Sequence, residues 1–182
     1  FSRLAFQVFQ ERNKEHASLS ELSRNMILQR LLRQYGSSLT VLQTAASQPN
    51  FVTTMGQFLM ECRSFRITPD MLRNAAGQMN HLTLSHKLED IASLYEHYLN
   101  FLDSHFGNAD DTMTLLAKEL PGYTFIQGAR VWVDGFQWFT PQQLQILLAA
   151  EKAADSLTVT LTMDAGHVSR QARNTALYHR PW

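Results

Sequence analysis

Apolar residues recur at three- and four-residue spacing through the first 120 positions, and that period predicts successive helices. Residues 2–12 set Leu4, Phe6, Val8 and Phe9 near one stripe. The next helix carries Leu19, Leu22, Met26, Ile27, Leu31 and Leu32. It opens on the S-x-x-E capping box of Ser18 and Glu21 and stops at Gly36, which tolerates a left-handed C′ position. A short helix over 40–47 ends before Pro49. Asn50 caps a helix to Phe65 that turns Phe51, Met55, Phe58, Leu59 and Cys62 inward. Thr68-Pro69-Asp70 combines a Thr N-cap, Pro at N1 and an acid in the first turn, and its helix runs to about Met79. Residues 84–105 form the longest helix, with a stripe of Leu88, Ile91, Ala92, Tyr95, Tyr98, Leu99 and Leu102. Gly107-Asn108 breaks it. Asp110 or Asp111 caps one more helix, which Pro121-Gly122 ends.

The period then changes. Residues 130–134 are a β-like run ending in Asp134, Thr140-Pro141 opens a helix to about Ala153, and 157–164 is a second β-rich run ending in Asp164. Strand, helix and strand with short connections make a βαβ unit with parallel neighbouring strands. The expected fold class is therefore mostly α with a small α/β part, divided into a helical subdomain over 1–120 and a partial α/β core over 121–182. Two parallel strands do not make a stable sheet alone, so further strands are expected from elsewhere in a longer parent chain. The start at Phe1, without Met, fits that expectation.

Composition narrows the function classes. The 182 residues are 45% hydrophobic and carry 16 basic and 16 acidic side chains, which excludes a disordered chain. One cysteine excludes a disulfide scaffold. No apolar run is long enough to span a membrane, and no signal peptide opens the chain. The zero net charge is uneven. Residues 1–80 hold nine Lys/Arg and five Asp/Glu, a net of +4; residues 81–182 hold seven and eleven, a net of −4. Arg24, Arg30, Arg33, Arg63, Arg66 and Arg73 make the first half basic, and arginine forks suit phosphate oxygens. They are candidate DNA-phosphate contacts, or a solvated face paired with the acidic helix at 89–103.

Asp134 at the C-terminal end of a parallel strand lies where open α/β sheets bind ligands, and an acid there can hold Mg²⁺ beside a nucleotide phosphate. It can equally be a turn former before Gly135. No phosphate-cradling Gly-rich loop is present. The seven histidines show no zinc spacing, so no metal site is expected, and Cys62 lies on an apolar stripe as a core cysteine would. No nucleophile elbow or Ser–His–Asp set is visible.

The segment Val131-Trp132-Val133-Asp134-Gly135-Phe136-Gln137-Trp138-Phe139-Thr140-Pro141-Gln142-Gln143 resembles motif II of superfamily 1 DNA helicases, a hydrophobic strand followed by D-E-x-Q-D. Asp134 falls on the Mg²⁺-binding Asp, Gln137 on the motif Gln and Gln143 on a trailing Gln. Gly135 stands where the family has its general-base Glu, and Trp138 replaces the second Asp. The degenerate form V-D-G-F-x-x-F-T-P is similar to the B subunit of the AddAB (RexAB) helicase–nuclease. Arg3-Leu4-Ala5-Phe6, residues 51–69 and Lys87-Leu88-Glu89-Asp90-Ile91 with Tyr95, Tyr98 and Asp110-Asp111 agree with that family.

The resemblance implies a helical 1B-like subdomain followed by part of the P-loop (superfamily 1 helicase-like) sheet, in a cytoplasmic protein. It implies a scaffold without catalytic residues of its own, belonging to a double-strand-break-resecting enzyme of homologous recombination. That scaffold engages DNA and scans for the hotspot called Chi. Implied partners are DNA and an AddA-type subunit. The implied cofactors lie outside this chain: Mg and ATP in the partner subunit, and an iron–sulfur cluster in a nuclease domain further along the parent. A protein-interaction domain with no DNA role is the competing expectation.

Overall fold

The computed structural model describes residues 1–11, 19–48, 50–106 and 112–161. The chain divides into two compact units, 15–111 and the combination of Phe1–Lys14 with Thr112–Trp182. Against a division at residue 120, the first helix and the helix after residue 111 group with the strands. The reason is packing: Ala5, Val8 and Phe9 bury themselves with Leu116, Leu120, Tyr123, Ile126, Ile146 and Ala150 in one core.

The helical unit contains α2 (Glu21–Tyr35), the one-turn α3 (Leu42–Ala45), α4 (Phe51–Ser64), α5 (Pro69–Gly77) and α6 (Leu82–Phe106). Helix α2 starts two residues later than the Ser18/Glu21 box predicts. Ser20 is its N-cap, accepting from the Ser23 N–H at 3.0 Å, and Ser18 lies outside the described residues. Helix α5 begins as its sequence signal predicts, with Thr68 Oγ1 accepting from Met71 N–H at 3.2 Å. The core is built from Leu28, Leu59, Leu94, Tyr98 and Leu102, all nearly inaccessible. Cys62 is buried there, and desolvation pushes its thiol up to about 11, so it stays a protonated core residue at neutral pH.

Two of the predicted inward positions on α2 face outward instead. Leu22 and Met26 are 71% and 63% exposed, while Ile27, Leu28 and Leu31 fill the core. At 100° per residue Leu22 and Met26 lie on nearly the opposite side of the helix from Ile27, Leu28 and Leu31, and tertiary packing uses the side that meets α4 and α6. Phe58 of α4 is likewise exposed. Helices α2 and α4 approach closely at Gly56, where a Cβ would lie 3.1 Å from Asn25 Oδ1. Helix α4 ends with Arg66 at φ +58°, and the Ile67 N–H reaches back to the Cys62 carbonyl at 2.8 Å. That is the six-to-one bond of a left-handed C′ stop, usually made by glycine.

The strand-bearing unit contains α1 (Ser2–Glu11), α7 (Thr112–Glu119) followed by a 3-10 turn (Leu120–Gly122), β1 (Arg130–Phe136), α8 (Pro141–Ala153) and β2 (Ser156–Leu161). Asp110 and Asp111, the expected caps of α7, lie outside the described residues. The strands pair in parallel, as the βαβ reading predicts, with Val131 opposite Leu157 and Val133 opposite Val159. Strand β1 does not end at Asp134. It continues to Phe136 through a register irregularity between Val133 and Phe136, with Gly135 at φ +79°. Alternation along β1 half-buries Val131 and Val133 and leaves Trp132 65% exposed. No described helix is long and apolar enough to cross a membrane.

Candidate functional site

The residues of the degenerate motif II gather at the C-terminal end of the two-stranded sheet. Asp134 and Gly135 sit in the β1 irregularity. The Asp134 carboxylate is exposed. It accepts from the Thr160 hydroxyl on β2, which together with the Gly135 backbone N–H holds the acid below the usual carboxylate range. Asp134 is therefore ionised at neutral pH and ties the two strands together across their ends. Gly135 has open space where a Cβ would go, but its φ of +79° is a conformation that residues with side chains rarely adopt. Position 135 thus has no side chain and a backbone conformation that disfavours one.

The rest of the motif divides between solvent and helix capping. Gln137 is exposed just beyond β1 and makes no side-chain hydrogen bond among the described residues. Gln143 is part of a capping box. Its Oε1 accepts from Thr140 N–H at 2.9 Å, and Thr140 Oγ1 accepts from Gln143 N–H at 3.2 Å. The T-x-x-Q spacing signals this box in the sequence. The buried glutamine of α8 is its neighbour Gln142. Asp164 lies outside the described residues.

An aromatic group not anticipated from the sequence stands beside the motif. The rings of Phe136 and Phe139 stack at 5.0 Å, and Phe1 meets Phe136 edge-on at 5.5 Å. Such a group offers ring faces and edges to a flat partner as well as packing the start of α1.

A magnesium–nucleotide does not fit this chain's residues by themselves. Asp134 is a lone carboxylate with Oδ1 already engaged by Thr160. Magnesium at phosphoryl sites takes one or two carboxylates together with substrate phosphates, which a Gly-rich loop must cradle. No such loop occurs in the sequence.

The six candidate arginines lie in the helical unit, and their surroundings differ. Arg73 is ion-paired to Asp70 at 3.0 Å and to Glu96 on α6, which raises its pKa further. Arg24 and Arg63 both reach the hydroxyl of the buried Tyr98; desolvation raises that phenol, and the two cations oppose the rise. Arg66 forms the stop of α4. Arg30 and Arg33 are exposed on α2, with the Arg30 guanidinium 5.5 Å from the centre of the Phe101 ring.

A buried polar cluster forms around Asp90, whose partners no local sequence signal marks. Asp90, 5% exposed on α6, accepts from the N–H groups of Thr40 at 2.9 Å, Val41 at 2.7 Å and Leu42 at 2.9 Å. It caps the entry to α3 from about fifty residues away. The Asp of the K-L-x-D-I pattern is thus a structural acid. His97 stacks on Tyr35 at 3.7 Å and His105 on Phe101 at 4.0 Å.

The features define a mostly helical protein with a small parallel strand pair, and comparison with known proteins makes the family specific. The whole chain, residues 1–182, matches the family described as ADDB, N-terminal, and it belongs to that family. Three similar proteins are each named as the B subunit of an ATP-dependent helicase/deoxyribonuclease. The one from Pelotomaculum thermopropionicum is 36% identical over 183 residues. Those from Alkaliphilus metalliredigens and Moorella thermoacetica are 31% and 34% identical. Each match covers 98% of this chain but 16% of the relative's length.

Proposed function

We propose that this chain is a non-catalytic, helicase-like scaffold within the B subunit of a helicase–nuclease that resects DNA double-strand breaks. The helical unit corresponds in this reading to a 1B-like subdomain and the strand-bearing unit to part of a P-loop-type 1A core. The observation that carries the reading is Gly135 at φ +79°, directly after Asp134. Hydrolysis at motif II needs a carboxylate at that position to take a proton from the attacking water, and a positioned general base contributes about 10²–10⁴-fold. Here the position has no side chain and a backbone that disfavours one, while Asp134 binds its neighbouring strand.

The partners of the assembled enzyme are DNA and an AddA-type subunit in the cytoplasm. ATP turnover with Mg belongs to that partner, and the iron–sulfur cluster to a nuclease domain further along the parent. The basic first 80 residues and the exposed Trp132 of β1 support engagement of DNA, with Chi scanning as the parent's task in this reading.

The chain should hydrolyse no ATP above blank, with or without DNA, and Gly135→Glu alone should not create turnover. DNA-stimulated hydrolysis by either protein, lost on adding Asp134→Asn, would overturn the reading.

A further inference from the structure

We infer that the outer face of α2 is a phosphodiester-binding surface, with Arg30 and Arg33 contacting phosphates of duplex DNA and Gln29 and Gln34 flanking them. The inference rests on the DNA reading above and narrows it from six arginines to two.

Met26, Gln29, Arg30, Arg33 and Gln34 line an open groove on the helical unit. Their spacing places them on one face of α2, since residues three and four apart are neighbours. Among the described residues the groove's polar lining is therefore two guanidinium and two carboxamide groups, with no acid. Arg30 and Arg33 make no ion pair among the described residues, whereas Arg73 is neutralised by Asp70 and Glu96. The only acid on α2, Glu21, lies twelve positions before Arg33. That is about 18 Å along the axis at 1.5 Å per residue, well beyond the screening length of about 8 Å at physiological salt.

The Arg30 guanidinium is held over the Phe101 ring, which is itself stacked with His105. Cation–π contact fixes the guanidinium without consuming its N–H donors, and those donors match phosphate oxygens bidentately. Arg33 lies in the last turn of α2, where a cation also complements the helix dipole. The dipole accounts for Arg33 but not for Arg30 one turn earlier, nor for the exposed amides beside them. Charge complementarity thus favours a polyanion. The guanidinium forks match carboxylate and phosphate alike, and the net charge of +4 over the first 80 residues, with the DNA reading above, selects the phosphodiester backbone.

The test is fluorescence anisotropy of a labelled duplex oligonucleotide with the 182-residue chain across a salt series. The variants are Arg30→Gln/Arg33→Gln and, as a charge-matched control on the other unit, Lys118→Gln/Lys152→Gln; circular dichroism checks that both fold. Each phosphate contact on duplex DNA contributes about 0.9 to the slope of log K against log salt. The arginine pair should therefore lower the slope by about 2 and weaken low-salt binding by about tenfold or more, while the lysine pair keeps the wild-type slope. Equal losses in both variants, or an unchanged slope in the arginine variant, overturn the inference while leaving the DNA reading intact. Failure of the wild-type chain to bind at low salt overturns both. Loss of pairing with the partner subunit in the arginine variant, with DNA binding retained, would assign the face to protein docking instead.

Discussion

Asp134, in the segment that resembles motif II, is hydrogen-bonded across the strand pair. The folded-state pKa is depressed by the Thr160 hydroxyl and the Gly135 N–H. An acid depressed on folding adds stability above its unfolded pKa and loses that contribution as pH falls through the folded value. Thr160→Val should therefore move the Asp134 titration, followed by NMR, upward toward the ordinary aspartate range. It should also flatten the acid limb of the stability profile. No change in that titration would show that the interstrand bond does not form. The sequence marks Asp134 through a β-like run expected to end there and through the D-G-F pattern, although β1 continues to Phe136. Its partner was not, because Thr160 reaches it only once β1 and β2 pair in register. The role of Gln143 was legible, since T-P-Q-Q has capping-box spacing, although the likeness to motif II gives that glutamine a different place.

Some helix starts were readable from a local signal, although the Ser18/Glu21 box misplaces the start of α2, which Ser20 caps. Thr68-Pro69-Asp70 begins α5 as expected, and Thr140-Pro141 begins α8. Boundaries and faces set by distant residues were not readable. Helix α3 is capped by Asp90 of α6, and the choice between two apolar stripes on α2 is made by α4 and α6. The end of α4 offers a measurable case. Arg66 occupies a left-handed position that costs a non-glycine residue about 1 kcal/mol. Arg66→Gly should raise stability in urea unfolding by up to about that amount, since glycine removes the steric cost but loses more backbone entropy. A loss of stability instead would mean that the arginine side chain makes contacts outweighing its backbone.

Across the whole chain, two units carry separate cores, one centred on Leu28, Leu59 and Tyr98 and the other on Val8, Leu116 and Ile146. Asp90 belongs to the first, and Trp132 and Trp138 to the second. Removing the Asp90 carboxylate unpairs three backbone N–H groups, of which the Leu42 N–H is buried and costs about 1–3 kcal/mol when left unpaired. Asp90→Ala should therefore lower the helical transition seen by circular dichroism by about 1–3 kcal/mol, and shift the tryptophan-fluorescence transition far less. Equal shifts of both signals would show that the two cores unfold as one.

The helical block followed by a parallel strand pair was evident from the change in hydrophobic period. The grouping of α1 with the strands was not, because it depends on contacts between segments more than 100 residues apart. In the proposed function, the Asp134–Gly135 turn supplies no hydrolytic chemistry to the parent enzyme. The most direct measurement is steady-state ATP turnover by the assembled two-subunit enzyme, with DNA, carrying Asp134→Asn in this chain. Turnover within about twofold of wild type is predicted. A fall of tenfold or more, with assembly and DNA binding intact, would contradict the scaffold role.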